Sequence, residues 1–140
     1  MLSLTAEYAL RASVYLAKNH GRQVNRQEIA EATSVPVDYL LKVLGALDTA
    51  GIVDSKRGPG GGYWLVNPPG KTSTLEVVLA VDSIPRIHHC PLGITEHTQL
   101  CPLHQLLDDA AQKTEQAFRA VSLLDLAEST QKLPACVFPG

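Results

Sequence analysis

Cysteine and histidine side chains crowd into one segment of this chain. Two of its three cysteines and four of its five histidines lie between residues 88 and 104. The segment follows neither a helical nor a strand period, so it is predicted to be a loop. An odd cysteine count argues against a disulfide framework, whereas thiolate and imidazole together are good metal ligands. We therefore expect a metal or redox site in this loop.

The tripeptide Cys-Pro-Leu occurs twice in the loop, beginning at Cys90 and at Cys101. Pro102 suits the first position of a helix, which makes Cys101 the predicted N-cap. The positive end of the helix dipole there favours the thiolate, which is the form that binds metal. His104 follows three residues later on nearly the same face, so Cys101 and His104 could reach one metal. The other such side chains are interpreted as exposed loop residues or bystanders: His88, His89 and Cys136.

The stretch from residue 36 to residue 66 predicts a helix followed by a β-hairpin. Pro36 suits the first turn of the helix, and Gly51 suits the position just after its end. The face of the helix that should enter the core repeats at helical spacing: Leu40, Val43, Leu44 and Leu47. The strands are predicted at Ile52–Ser55 and Tyr63–Val66. The tip between them, Lys56–Gly62, is either a solvated turn with two incidental charges or a basic wing that approaches phosphate groups.

Two further helices are predicted before this stretch. The first spans Thr5–His20 and is apolar on both sides, which predicts burial on both sides. The second, about Arg26–Ala32, should begin at an Asn25 N-cap, with Glu28 completing a capping box. A short helix, a tight turn and a longer helix are typical of a helix-turn-helix, although an ordinary helical hairpin has the same order. The basic hairpin that follows favours a winged helix-turn-helix that binds DNA.

The geometry of a helix-turn-helix predicts which residues contact DNA. The first turns of the second helix face the base edges, and flanking residues contact phosphates. Leu41 could contact a thymine methyl group, while Tyr39 and Leu41 could instead belong to the core. The predicted contacts with bases are Val37, Asp38, Tyr39, Leu41 and Lys42. The predicted contacts with the DNA backbone are Arg26, Thr33, Ser34, Lys56, Arg57, Gly58, Gly60 and Gly61.

The run from Pro36 to Leu44, the run from Ala50 to Gly58 and the motif Gly61-Gly62-Tyr63 resemble the IscR/NsrR/CymR family of bacterial winged-helix regulators. The resemblance covers nearly the whole chain and is most specific at the hairpin. It implies a homodimeric transcription factor, which we expect to be a repressor. In some members of the family an iron–sulfur cluster controls DNA binding.

The resemblance also implies where a cluster would be bound. Cys90, Cys101 and His104 lie close to cluster-associated positions of the family, but the usual third cysteine between the outer two is missing. His97 is one candidate for the missing ligand. Glu7, which matches an acidic ligand position in some members, is another and would come from the partner subunit. A zinc site and a thiol-based or vestigial site are the alternatives.

The C-terminal half predicts helices that pair two subunits. A helix is expected at about Leu75–Asp82, a long one from Pro102 to about Leu126 and a final short one at Ser122–Lys132. The long helix carries an apolar stripe that nothing else in so small a chain could cover: Leu103, Leu107, Ala110, Thr114, Ala117 and Val121. A homodimer paired through this helix, bound to a roughly palindromic operator in double-stranded DNA, is the prediction.

Composition limits the class of protein. Residues 1–71 hold eight basic and six acidic side chains, whereas residues 72–140 hold four and eight. This split suits a protein that touches DNA with one face.

No membrane span or signal region is predicted, so a cytoplasmic location is expected. No catalytic constellation is recognised, so an enzyme is not expected. The fold class is mainly α, with a winged helix-turn-helix at residues 1–70 and a sensor loop with a helical dimerisation region at 71–140. A regulator of the same fold that is controlled by a protein partner or by thiol oxidation, without a cofactor, is the alternative function.

Overall fold

The computed structural model describes residues 2–89 and 100–132, and for residues 129–132 it describes only the backbone. The elements follow in chain order: α1 Leu4–Lys18, α2 Arg26–Thr33, α3 Val37–Thr49, β1 Val53–Lys56, β2 Gly62–Leu65, a 3-10 turn Pro69–Lys71, α4 Thr74–Val81, α5 Pro102–Arg119 and α6 Leu123–Lys132. This mainly helical chain with one two-stranded antiparallel sheet is the predicted fold class. No helix within the described ranges is both long and apolar enough to cross a membrane.

Helix α1 lies at the centre of the fold. It packs against α2 and α3 on one side and against α4 and α6 on the other, which confirms the predicted burial on both sides. Its buried positions are mostly small, so neighbouring helices can approach closely. Ser3 caps the helix by accepting a hydrogen bond from the Ala6 N–H at 3.1 Å. The Ser3 N–H donates to the Asp82 carboxylate at 3.3 Å and so joins the start of α1 to the end of α4.

Helices α2 and α3 form the predicted helix-turn-helix. The Asn25 side chain caps α2 by accepting from the Glu28 N–H at 2.8 Å. The second half of the predicted capping box was wrong, because the Glu28 carboxylate is engaged by Tyr15 and Arg22. Ser34 ends α2 in the left-handed region at φ 56°, which turns the chain towards α3.

Helix α3 has the predicted core face and the predicted end. Its four predicted core residues are fully buried: Leu40, Val43, Leu44 and Leu47. Gly51 follows the helix at φ +78°, a conformation that glycine adopts without strain. The Gly51 N–H bonds to the Asp48 carbonyl and the Ile52 N–H to the Leu47 carbonyl, which is the Schellman arrangement. Because Ile52 belongs to this cap, β1 begins one residue later than predicted.

The hairpin pairs Val53 with Leu65 at its base and Lys56 with Gly62 near its tip. Lys56 is therefore the last residue of a strand, not the first residue of the tip. Val24 adds a short bridge on the outer side of β2, with hydrogen bonds to Tyr63 of 3.0 and 2.8 Å. A Cβ on Gly62 would lie 2.8 Å from the Val24 backbone, so this close pairing requires glycine.

The C-terminal helices return to the N-terminal core. Ser73 and Glu76 form a capping box at the start of α4. The Thr74 N–H donates to the Val121 carbonyl at 2.8 Å, and the Leu123 N–H donates to the Thr72 carbonyl at 2.9 Å. These bonds hold the junction between α5 and α6 and end α5 at Arg119, so the prediction of one helix running to about residue 126 was wrong. The predicted short last helix is present as α6.

One core extends across both halves of the chain. Val77 of α4 and Leu123 and Ala127 of α6 belong to the same buried cluster as the core residues of α1 and α3. Pro69, in the predicted linker, is itself buried. The two halves share one hydrophobic core. The division at residue 70 into a DNA-binding part and a dimerisation part therefore stays a prediction about function.

Candidate nucleic-acid interface and sensor site

A groove of about 610 Å³ separates the outer face of α3 from the hairpin. Three cationic side chains line it: Arg26, Lys56 and Arg57. The Asp48 carboxylate also lines the groove. All three cations are exposed. Leu41 and Gly45 of α3 line the same groove from below. The groove thus combines positive charge with a helix surface on which Gly45 has no side chain.

The exposed surface around this groove holds most of the predicted DNA contacts. Tyr39 is 50% exposed and Leu41 is 37% exposed, so neither is a core residue. Ser34, Asp38 and Lys42 are exposed, and Val37 is half-buried. The structure brings the α3 residues and the basic hairpin to adjacent surfaces.

Thr33 is the exception among these residues. Its side chain is 1% exposed, and its hydroxyl donates to the Ile29 carbonyl at 2.6 Å inside α2. A hydroxyl in this position cannot reach a phosphate, so the interpretation of Thr33 as a backbone contact was wrong. Threonine in a helix commonly makes this bond four residues back.

The tip of the hairpin is shaped by its glycines. Gly58 and Gly60 have φ of +91° and +76°, and the Gly61 N–H closes the turn by bonding to the Gly58 carbonyl at 2.9 Å. A Cβ on Gly61 would collide with the Lys56 carbonyl. The tip therefore carries no side chains at these turn positions, and only its backbone lies there, beside Lys56 and Arg57.

Arg11 joins α1 to the helix-turn-helix. Its guanidinium pairs with the Glu7 carboxylate at 2.8 Å and donates to the Thr33 carbonyl at 3.3 Å. It also lies over the Tyr8 ring, 5.5 Å from the centroid. Tyr8 in turn makes an edge contact with Tyr39, with a centroid separation of 5.8 Å. Glu7, a candidate ligand by resemblance, thus contacts a residue that is hydrogen-bonded to the end of α2.

The predicted sensor site is described in part. Cys101 is the N-cap of α5, as predicted, and its Sγ lies 3.2 Å from His104 Nδ1. This is a hydrogen-bond distance; two tetrahedral ligands of one ion would lie about 3.6 Å apart, so the two side chains would have to separate by about 0.4 Å to bind one metal. Cys90 and His97 lie outside the described residues. Within the described ranges no three potential ligands come together.

An ion-pair cluster that sequence reasoning missed lies between the loop and α5. Arg86 pairs with Asp108 through two bonds of 2.8 and 3.0 Å and with Glu115 at 3.3 Å. The Ile87 N–H also donates to Asp108 at 2.8 Å. The Arg86 guanidinium, and then the Ile87 N–H, lower the pKa of Asp108 to about 2. Asp108 follows His104 by four residues, so this cluster lies one turn along α5 from Cys101 and His104.

The apolar stripe of α5 is exposed in the single chain. Leu103, Leu106 and Leu107 are 60%, 65% and 49% exposed. Asp108 is the buried residue of this helix, which reverses the usual arrangement for an amphipathic helix on a protein surface. The leucines have no cover among the described residues.

Known proteins resemble this chain over nearly its full length. BadM of Rhodopseudomonas palustris, named as an HTH-type transcriptional regulator, is 31% identical over 117 residues, covering 84% of this chain and 74% of that protein. A protein of Aquifex aeolicus that carries the same kind of name is 28% identical over 136 residues, or 94% of each chain.

Solved structures share the fold. IscR of T. potens superposes with a TM-score of 0.78 at 20% identity, covering 94% of this chain and 89% of that one. CymR of B. subtilis, described as the global cysteine regulator, also gives 0.78, at 23% identity over 93% and 98% of the two chains. At such identities the likeness shows the fold alone, and that fold agrees with the predicted winged helix-turn-helix.

The family assignment rests on the whole length of the chain. The profile of the Rrf2 family, described as an iron-dependent transcriptional regulator, matches residues 2–129. This agrees with the predicted resemblance and with the prediction that the chain is not an enzyme. The chain belongs to the Rrf2 family of DNA-binding transcriptional regulators.

Proposed function

We propose that this regulator is a homodimeric repressor that binds DNA through α3 and the hairpin. The observation that carries the proposal is the groove in which Arg26, Lys56 and Arg57 flank the exposed face of α3. Leu41, Lys42 and their neighbours in the first turns of α3 then contact base edges in the major groove. Ser34, Arg26 and the hairpin, including its glycines, contact phosphates. Two such units bound side by side exclude other proteins from the operator, and they act in the cytoplasm, where the DNA lies.

The wing charges give a direct test of DNA binding. We expect K56A/R57A to weaken binding to labelled random-sequence DNA duplexes about tenfold at roughly 50 mM salt. Each lost phosphate contact means that fewer counterions are released from the DNA when the protein binds, and this release favours binding. The slope of log affinity against log salt should become shallower by about 3.6, because the dimer loses two phosphate contacts in each of its two protomers. K113A, which removes an exposed charge on α5, is the matched control and should bind as the wild type does. Equal affinities for all three proteins would contradict the proposal.

The pairing of subunits is proposed through the exposed leucines of α5. Three exposed leucines on one helix would promote aggregation of a monomer, whereas in a dimer they form a typical apolar interface. The palindromic operator follows from that two-fold symmetry.

For the signal, we propose an iron–sulfur cluster held by Cys90 and Cys101 with His104. Glu7 of the partner subunit or His97 completes the ligand set. The observation in favour is the Cys101–His104 pair at the start of α5. A bound cluster would supply redox and nitric-oxide-sensitive chemistry. Recruitment of Glu7 as a ligand would release Arg11, whose other bond goes to the Thr33 carbonyl in the DNA-binding turn.

Anaerobic purification tests this ligand set. We expect a coloured protein with visible absorption and with iron and sulfide in equal amounts, and we expect C101S to lose them. Zinc in place of iron would support the zinc alternative. A colourless, metal-free wild type would overturn the cluster and leave DNA binding untouched. In that case, control of DNA binding by a partner protein or by thiol oxidation remains. The variant C90S/C101S would distinguish the two, because its DNA binding should no longer respond to oxidation but should still respond to a partner protein.

A further inference from the structure

Gly45 lies in the interior of α3, where glycine is the least favourable residue after proline. Two structural reasons commonly explain such a glycine, and neither applies. The backbone of Gly45 does not have positive φ. A Cβ built on Gly45 would meet nothing within 4 Å, so none of the described residues needs the space.

The space above Gly45 opens into the groove between α3 and the hairpin. Leu41 and Asp48 come from the same face of α3, one turn before and one turn after Gly45. Arg26 borders the groove at the start of α2, and Lys56 and Arg57 border it on the hairpin. Gly45 therefore contributes only backbone to the groove, between the side chains of Leu41 and Asp48, and three cations outnumber the single carboxylate that lines it.

We propose that Gly45 is the point of closest approach between α3 and DNA, where one sugar–phosphate strand crosses the helix beneath the hairpin. The inference rests on the proposed DNA binding and deepens it. A strand lying in this groove is within reach of cations from both sides, and any side chain at position 45 would occupy its path. Glycine at this position thus lowers the stability of the free protein and favours the complex.

The test uses substitutions whose effects on folding and on binding have opposite signs. G45A should raise the Tm by about 3 °C, because alanine is the better helix former and fits the free protein. It should nonetheless weaken binding to labelled random-sequence 30-base-pair duplexes at roughly 50 mM salt about threefold. G45Q should weaken it at least about tenfold and make the salt dependence shallower by about one phosphate contact per protomer. The matched control is K113Q, which places the same side chain at an exposed position of α5 away from the groove, and it should bind as the wild type does.

The outcomes separate this inference from the proposed function. If G45Q binds as tightly as K113Q while K56A/R57A binds weakly, the role of Gly45 is overturned and the DNA-binding function stands. If K56A/R57A also binds normally, the proposed function fails. Circular dichroism identifies any variant that does not fold, and if G45Q is one of these, the affinity of G45A decides.

Discussion

The hydroxyl of Ser13 is fully buried in α1, and no hydrogen-bond partner is found for it among the described residues. We expect S13A to raise the free energy of unfolding by about 1 kcal/mol, because an unsatisfied buried polar group is removed. Urea denaturation measures the change. S3A is the contrasting control, since it removes the α1 cap and should lower stability by about 1 kcal/mol. A less stable S13A would mean that the hydroxyl has a partner.

Single residues mark the limit of what the sequence could tell. The exposure of Leu41 followed from its place opposite the core face of α3, because the helical period fixes which side chains point outwards. Thr33 could not be placed in this way. Its polarity suggested a surface contact, whereas the bond from its hydroxyl to the Ile29 carbonyl lets it be buried at little cost.

Among the elements, helix starts were predictable and helix ends less so. Asn25, Ser73 and Pro102 carry local signals that act within one turn, so they are visible in the sequence. The end of α5 depends on bonds between residues 72–74 and 121–123 that are distant in sequence. The Arg86–Asp108 pair was missed for the same reason, since nothing near Arg86 identifies a partner 22 residues away.

This ion pair predicts a pH dependence that belongs to the contact between the loop segment and α5. The folded-state pKa of Asp108, about 2, is below its ordinary value of 3.8. The pair therefore stabilises the fold above about pH 4, and this contribution is lost as the pH falls towards 2. We expect D108N to be less stable than the wild type at pH 6, and the difference to shrink between pH 4 and pH 2.

Urea denaturation at several pH values measures this difference. D109N, a change of the neighbouring carboxylate that pairs with Gln105 and not with Arg86, is the control and should not reproduce the trend. A D108N difference that stays constant down to pH 2 would contradict the assignment.

For the whole molecule, the main prediction concerns the number of subunits. In analytical ultracentrifugation the wild type should have twice the 15.1 kDa mass of one chain. L103K/L107K should sediment as a monomer, because each leucine removed from an interface costs about 1.5–3 kcal/mol and both protomers lose two. Q112K places the same charge on the opposite face of α5 and should remain dimeric. A monomeric wild type at micromolar concentration would contradict the proposed pairing.

The overall architecture was predicted more fully than the sensor. Periodicity and caps are properties of one chain, whereas the proposed ligand set, which draws on a loop and a partner subunit, cannot be read from any single stretch of sequence. Cys101 and His104 share a helix, so their proximity was predictable. The position of Glu7 relative to them depends on how two protomers meet.

The central place of α1 has a consequence for any signal that this regulator transmits. Because α4 and α6 cover one flank of α1 while α2 and α3 cover the other, removing residues 71–140 would leave apolar surface of α1 in water. The buried core of a protomer is thus continuous across residue 70. If the proposed site at Cys101 and His104 controls the proposed DNA binding, we expect a stimulus there to act by reorienting whole subunits of the proposed dimer, or by local rearrangements at contacts such as that of Arg11.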